Sequence, residues 1–137
     1  MSGTATIFPT QGQLEELRAL PADEPVVMLN LLRFKDRADG IDEGVSGREA
    51  YGRYATATAP FLEKVGGRLL NAVDARQVVI GPAEAEWDMA LLVEYPTPGG
   101  FLEMAGDPDY LKAHAHRDAA LADSRLIACS SAGAVFS

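Results

Sequence analysis

The pattern of apolar and polar positions along the chain predicts one strongly buried strand. The run from Pro25 to Phe34 contains, besides Arg33, a single polar residue, Asn30. A short apolar run that opens with proline and is followed by charged residues is typical of a strand covered on both faces. We therefore predict a strand from about Val26 to Phe34, with its even-numbered and odd-numbered residues on opposite faces of a sheet.

Two helices are predicted from capping boxes. Thr10-Gln11-Gly12-Gln13 begins a short amphipathic helix that ends before Pro21. Ser46-Gly47-Arg48-Glu49 begins a longer helix that runs to Val65, with an apolar stripe that includes Tyr54 and a glycine pair at its end. Pro60 is expected to bend or split this second helix, because proline removes a backbone hydrogen bond.

Two more helices are predicted where a capping residue precedes a proline. Thr97-Pro98 and Asp107-Pro108 both have this arrangement. The second of these helices is expected to present one side lined by Tyr110, Ala113, His114, Arg117 and Leu121.

Further strands are predicted from alternating or β-branched residues. They run from Arg68 to Val73, Arg76 to Ile80, Trp87 to Tyr95 and Arg125 to Cys129, the first two forming a hairpin around Asp74-Ala75. The resulting order, βαββαβ, predicts an α+β fold of ferredoxin-like type with an added N-terminal helix. We expect one domain over residues 1–137, with its core at about residues 25–130.

The apolar character of both faces of the first strand predicts a partner. Leu91-Leu92-Val93 repeats the pattern in a later strand. An antiparallel sheet with one wet face normally alternates between apolar and polar residues, so a cover is expected on the second face. Two-fold dimers are the commonest oligomers. We therefore predict a homodimer in which two sheets pack into an α+β barrel.

Composition limits the possible partners and compartment. The 137 residues carry a formal net charge of −8, which disfavours binding to nucleic acid. No run approaches the ~20 apolar residues of a membrane helix. The single cysteine, Cys129, excludes an internal disulfide and a zinc-binding cysteine cluster, so we expect the cytoplasm.

Short sequence pieces in a fixed order suggest a family. They are Asn30-Leu31-Leu32-Arg33-Phe34-Lys35, Tyr51-Gly52-Arg53-Tyr54, Gly66-Gly67-Arg68, Gly81-Pro82, Glu94-Tyr95-Pro96, Asp107-Pro108-Asp109-Tyr110 and Arg117. Together they resemble the bacterial domain of unknown function numbered 1330, a member of the dimeric α+β barrel superfamily. The resemblance implies the fold and the dimer. The wider superfamily includes cofactor-free monooxygenases, isomerase-like proteins, haem-degrading enzymes and non-catalytic binding proteins.

Asn30 and the stripe on the last helix are the candidate functional residues. A buried amide needs hydrogen-bond partners, so Asn30 either bonds a nearby loop or helix end, or orients a ligand carbonyl. Tyr110, His114 and Arg117 share one helical side, where a ligand would meet a phenol, an imidazole and a guanidinium. The alternative is that Arg117 pairs with an acidic neighbour and Tyr110 belongs to the core.

A metal site is not expected, because His114 and His116 are two residues apart on a helix and point in different directions. No cofactor motif is present. Trp87 is either core or part of a pocket mouth. We predict a cavity between sheet and helices that is lined by Asn30, Tyr54, Trp87, Tyr110, His114 and Arg117.

Two functions from different classes remain open. In the first, the protein is a cofactor-independent oxygenase or isomerase acting on a small carbonyl or aromatic metabolite, with Asn30 and Arg117 orienting the substrate and His114 or Tyr54 moving a proton. In the second, it is a non-catalytic dimer that binds a small ligand or serves only as a structural unit.

Overall fold

The computed structural model describes residues 8–82 and 86–131, which form four strands and four α-helices. The elements in chain order are α1 (Gln11–Arg18), β1 (Val26–Phe34), α2 (Gly47–Lys64), β2 (Arg68–Asp74), β3 (Met89–Tyr95), α3 (Pro98–Gly106), α4 (Pro108–Ala120) and β4 (Leu121–Cys129). A short 3₁₀ turn, Gly40–Asp42, lies between β1 and α2.

The strands form one antiparallel sheet in the order β2-β3-β1-β4. β1 therefore lies inside the sheet, where Asn30 pairs with Leu91 of β3 and with Leu126 of β4. This order, with helices in the two crossovers, is the ferredoxin-like arrangement, and the fold prediction is confirmed.

The even-numbered residues of β1 face the helices. Val26, Met28, Asn30 and Leu32 are all buried. Val26 and Met28 belong to an apolar cluster with Tyr95, Met104 and Tyr110, which we call the lower core. Leu32 belongs to a second cluster with Ala38, Ala50, Tyr51, Ala119, Ala120 and Leu121, which we call the upper core.

The predicted helix starts are confirmed. The side chains of Thr10, Ser46, Thr97 and Asp107 each accept a hydrogen bond from a backbone N–H in the first turn of their helices. Gly66, after the end of α2, has a φ of 76°, a conformation that a residue without Cβ adopts at little cost. Pro60 does not split α2, which is assigned as one helix through Lys64.

The predicted strand from Arg76 to Ile80 is wrong. This segment lies in the connection between β2 and β3, where Ile80 is 94% exposed. The hydrogen-bonding edges of β3 are taken by β2 and β1, so the hairpin partner of β2 is β3 itself. Within the described residues, the segment therefore has no strand with which to pair, although its apolar residues alternate as in a strand.

Two boundaries also differ from the prediction. β3 begins at Met89 rather than Trp87, and β4 begins at Leu121 rather than Arg125. Leu121 was expected on the helical stripe, but it pairs with Phe34 across an irregularity in the β1–β4 ladder and is fully buried in the upper core. A buried leucine at this position fits either the apolar side of a helix or the inner face of a strand. The sequence alone therefore assigned Leu121 to the wrong element.

The other face of the sheet carries apolar residues, and none of the helices within residues 8–82 and 86–131 covers it. In β1, Val27, Leu29 and Leu31 are partly exposed. Beside them lie Leu92 and Ile127, which pair with Leu29 and are 37% and 47% exposed. We call this group the outer sheet face. No helix among the described residues is long and apolar enough to span a bilayer.

Candidate functional site

Several polar side chains lie among the residues of the two apolar clusters, between the sheet and the helices. Asn30 lies in β1 between Met28 of the lower core and Leu32 of the upper core. Tyr54 of α2 packs against both clusters. Tyr110, His114 and Arg117 of α4 are grouped around Tyr54. We call these five residues the polar layer.

The two phenols of the polar layer are in direct contact. The hydroxyl oxygens of Tyr54 and Tyr110 are 2.6 Å apart, so one donates a hydrogen bond and the other accepts it. Burial raises the pKa of Tyr54 strongly, and the neighbouring Tyr110 raises it further. Burial also raises the pKa of Tyr110. Both hydroxyls are therefore protonated and neutral at physiological pH.

His114 contacts both phenols and one carboxylate. Its ring centroid is 6.1 Å from that of Tyr54 and 6.0 Å from that of Tyr110, with the rings edge to face. Nδ1 lies 3.0 Å from Oδ1 of Asp118, although this contact lacks the direction of a good hydrogen bond. Burial lowers the pKa of His114; Asp118 raises it and the charge of Arg117 lowers it. The net pKa is below the usual value, which favours a neutral imidazole.

Arg117 brings a positive charge into the core. The residue is 6% exposed. Burial raises the pKa of Tyr51 and Tyr54, while the nearby guanidinium of Arg117 partly offsets this effect at both phenols. Since arginine stays protonated, the polar layer always contains a cation.

Asn30 is 9% exposed and faces the helices together with Val26, Met28 and Leu32. Its Nδ2 donates a hydrogen bond of 3.2 Å to the carbonyl of Met28, two residues earlier in the same strand. Part of the amide is thus satisfied locally.

The structure does not bring all six predicted residues around one cavity. Trp87 lies apart from the polar layer, because its ring stacks 5.1 Å from the guanidinium carbon of Arg125. Arg125 pairs with Leu31, so this contact belongs to the outer side of the sheet. Two pockets are found elsewhere, one lined by α2 and His116 and the other by the ends of β1 and β4.

The sequence did not reveal a second group of charged side chains. Asp42, in the acidic loop before α2, has a fully buried carboxylate. Its oxygens are 2.7 Å from Nη1 of Arg53 and 2.7 Å from Nδ1 of His116. A loop rich in acidic residues and glycine is typical of a surface connection, and the partners of Asp42 lie 11 and 74 residues away. No local spacing could have indicated this group.

The two histidines point to different partners, His114 toward Asp118 and His116 toward Asp42. Within residues 8–82 and 86–131, no cluster of three or more His, Cys, Asp or Glu side chains could hold a metal ion.

The fold and the polar layer define a small α+β protein of ferredoxin-like type with a polar seam between sheet and helices. The chain belongs to the family described as Domain of unknown function (DUF1330), which matches residues 42–130. Among curated proteins, none matches this sequence.

Solved structures agree with this assignment. A protein of unknown function from Rhodopseudomonas palustris is 38% identical, with a TM-score of 0.86 over 93% of this chain and 98% of its own. A dimeric ferredoxin-like protein of unknown function from Bacteroides fragilis is 13% identical, with a TM-score of 0.52 over 81% of this chain and 100% of its own. A dimeric ferredoxin-like protein of unknown function from Thermobifida fusca is 17% identical, with a TM-score of 0.50 over 82% of this chain and 96% of its own. The last two comparisons are evidence for the fold alone.

Proposed function

We propose that the protein is a homodimer that binds a small carbonyl or aromatic metabolite at the polar layer and acts on it as a cofactor-independent enzyme. The observation that carries this proposal is the contact between the Tyr54 and Tyr110 hydroxyls beside His114 and the buried Arg117. Burying polar groups and a charge costs free energy that apolar side chains would not. A binding role explains why this cost is retained.

Each residue of the polar layer has a role in this proposal. Arg117 and Asn30 orient the oxygen atoms of the ligand, since a guanidinium prefers carboxylates and an amide can donate to a carbonyl. Tyr54, kept protonated by burial, donates a hydrogen bond to the reacting carbonyl.

His114 is the proton acceptor. Its lowered pKa keeps the imidazole neutral near pH 7. With Nδ1 beside Asp118, Nε2 is the nitrogen that takes a proton from the carbon next to the carbonyl. The electron pair of that C–H bond forms a C=C bond, and the π pair of the carbonyl moves onto its oxygen, which accepts a hydrogen bond from Tyr54. Return of the proton from Nε2 to another atom of the enolate completes an isomerisation. The same enolate is the form that reacts with oxygen in a cofactor-independent oxygenase.

A non-catalytic dimer is the second candidate, and a specific observation favours it. The Tyr54 and Tyr110 hydroxyls already bond each other, and Asn30 donates to Met28 within its own strand. These bonds offset part of the burial cost without any ligand.

The homodimer is supported by the outer sheet face. Soluble monomers rarely expose contiguous apolar patches of this kind. The structural relatives from B. fragilis and T. fusca are described as dimers. A second copy placed on Leu29, Leu92 and Ile127 would cover the patch. We also place the protein in the cytoplasm, because a single cysteine suits a reducing compartment.

A thermal-shift screen tests the binding role. Wild-type protein is screened against small keto acids, aromatic acids and neutral carbonyl compounds, and at least one should raise the unfolding midpoint, since a ligand that binds only the native state stabilises it. Asn30→Leu and Arg117→Leu should lose this shift. Arg18→Leu, at an exposed position on α1, is the matched control and should keep it. An absence of any shift in the wild type, or an equal shift in all variants, would argue for the non-catalytic candidate.

A further inference from the structure

The aromatic ring of Phe8 lies on His114 of the polar layer. The centroids of the two rings are 5.2 Å apart, with an angle of 31° between the ring planes. Tyr54 of α2 and Tyr110 of α4 contact the same imidazole edge to face. Two aromatic neighbours of His114 thus belong to packed helices, whereas Phe8 comes from the segment before α1.

Phe8 and His114 differ strongly in their exposure to solvent. Phe8 is 61% exposed, while the side chain of His114 is 13% exposed. One part of the phenylalanine ring therefore rests on the imidazole and the remainder faces water. A ring that stays mostly in water adds little to the core, so the main physical effect of this contact is to keep solvent away from His114.

The segment that carries Phe8 is attached weakly to the rest of the fold. No residue of α1 is buried. Within the described part of the chain, the hydrogen bonds of residues 8–24 are local, such as the capping pair of Thr10 and Gln13. Leu17 packs against the lower core and anchors the helix. A segment with few buried contacts opens at a low cost in free energy, so Phe8 can leave His114 while Leu17 holds α1.

A ligand of the polar layer needs a route to His114. Neither of the two pockets described above is lined by this residue. Tyr110 and Arg117, its neighbours on the same side of α4, are buried. Displacement of the Phe8 ring would expose the imidazole without any change in the packing of α2 against α4.

We propose that Phe8 controls access to the polar layer, where its ring shields His114 and its displacement lets a ligand reach the imidazole. This access role rests on the function proposed above, because it serves a purpose only if a ligand binds at the polar layer. It adds the side from which the ligand enters and the residue that the ligand displaces.

Acylation of histidine by diethyl pyrocarbonate measures this access without a ligand. The reagent reacts with a neutral imidazole nitrogen, so its rate reports how often that nitrogen is reachable. The chain has two histidines, whose imidazole C–H signals are followed by NMR and assigned with His114→Gln. At about pH 7.5, an imidazole with the ordinary pKa of about 6.5 is mostly neutral, so a change in pKa would not account for a faster reaction.

Phe8→Ala should raise the acylation rate of His114 by about threefold to tenfold, the factor that corresponds to the loss of one aromatic contact. Phe8→Tyr keeps a ring and should react as slowly as the wild type. Ile80→Ala is the matched control with no expected effect, because it removes a large apolar side chain that is 94% exposed in the β2–β3 connection. The rate at His116, which points to Asp42, should be the same in all of these proteins.

Four results would overturn the access role. The first is an equal rate at His114 in the wild type and in Phe8→Ala. The second is a parallel rise at His116 in Phe8→Ala, which would mean a general loosening of the fold. The third is a rate in Phe8→Tyr as high as that in Phe8→Ala. The fourth is complete protection of His114 in the wild type, since a cover that never opens admits no ligand.

The acylation rate and the thermal-shift screen can fail independently. A faster reaction of Phe8→Ala together with a screen that finds no ligand would support the shielding by Phe8 and count against the binding role. An unchanged rate together with a ligand that depends on Arg117 would refute the access role and support the binding role.

Discussion

Burial between α2 and α4 sets the electrostatic environment of Arg117 and His114. Arg117 keeps its charge in the core, and its field acts on both the phenols and the imidazole of the polar layer. The sequence placed Tyr110, His114 and Arg117 on one helical side, and in the structure they lie around Tyr54. The sequence could not show that the hydroxyls of Tyr54 and Tyr110 bond each other, since this contact joins residues 56 positions apart on two packed helices.

His114 should titrate below about pH 6.5, the value of an unperturbed histidine. Burial lowers its pKa, and Arg117 lowers it while Asp118 opposes both. Because the unfolded chain then binds the proton more readily, the stability from this group is full above about pH 6.5 and falls as the pH falls toward the folded pKa. An NMR pH titration measures the value directly. A midpoint at or above that of free histidine would contradict the assignment, and His114→Gln should remove this part of the pH dependence.

The Tyr54–Tyr110 bond predicts non-additive mutational effects. Tyr54→Phe and Tyr110→Phe each remove one hydroxyl and leave the other without its partner, at an expected loss of about 1–2 kcal/mol in the free energy of unfolding. The double variant leaves no hydroxyl behind, so its loss should be smaller than the sum of the two. Urea unfolding of all four proteins measures the difference. Strictly additive losses would mean that the two hydroxyls are not coupled.

At the scale of elements, capping and periodicity predicted most of the fold. β1, α1 and the starts of α2, α3 and α4 follow from residues near in sequence, and all are confirmed. The errors arise where the secondary structure of a segment depends on its pairing with a strand distant in the sequence. Arg76–Ile80 has strand-like residues but no partner, and Leu121 changes from helix to strand because β1 offers it a place in the ladder.

Gly47 fixes the approach of α2 to the ends of β1 and α4. A Cβ at this position would lie 2.2 Å from the backbone oxygen of Lys35 and 2.6 Å from that of Ala120. Gly47→Ala should therefore destabilise the protein by about 1–3 kcal/mol through overpacking against backbone.

Gly52 is the matched control in the same helix, where an added Cβ meets no atom within 4 Å. Gly52→Ala should stabilise the protein by about 0.5–1 kcal/mol, since alanine is the better helix former. Thermal unfolding of the two variants checks both signs. Equal effects would contradict the close approach at Gly47.

At the scale of the whole molecule, the apolar residues of the outer sheet face and the polar layer lie on opposite sides of one sheet. The same central strand, β1, supplies Leu29 to the first and Asn30 to the second. The sequence predicted that even and odd residues of the strand lie on opposite faces, and the structure shows that the even face meets the helices.

Disruption of the outer sheet face should give monomers. Leu29→Asp places a charge at the centre of the proposed interface, where it would be buried without a partner. Sedimentation equilibrium at micromolar concentration should give about twice the chain mass of 14.6 kDa for the wild type and the single mass for the variant. Val79→Asp, at a position 85% exposed in the β2–β3 connection, should remain dimeric. A monomeric wild type would contradict the α+β barrel.

A functional site at the polar layer is tested most directly by following the His114 imidazole by NMR while a ligand found in the thermal-shift screen is added. The His114 signal should change in a saturable way and the His116 signal should not, because the ligand enters the polar layer, where His114 lies, and His116 points to Asp42 instead. Arg117→Leu should abolish the change. A ligand that stabilises the protein yet leaves the His114 signal unmoved at saturation would contradict the placement of the functional site at the polar layer.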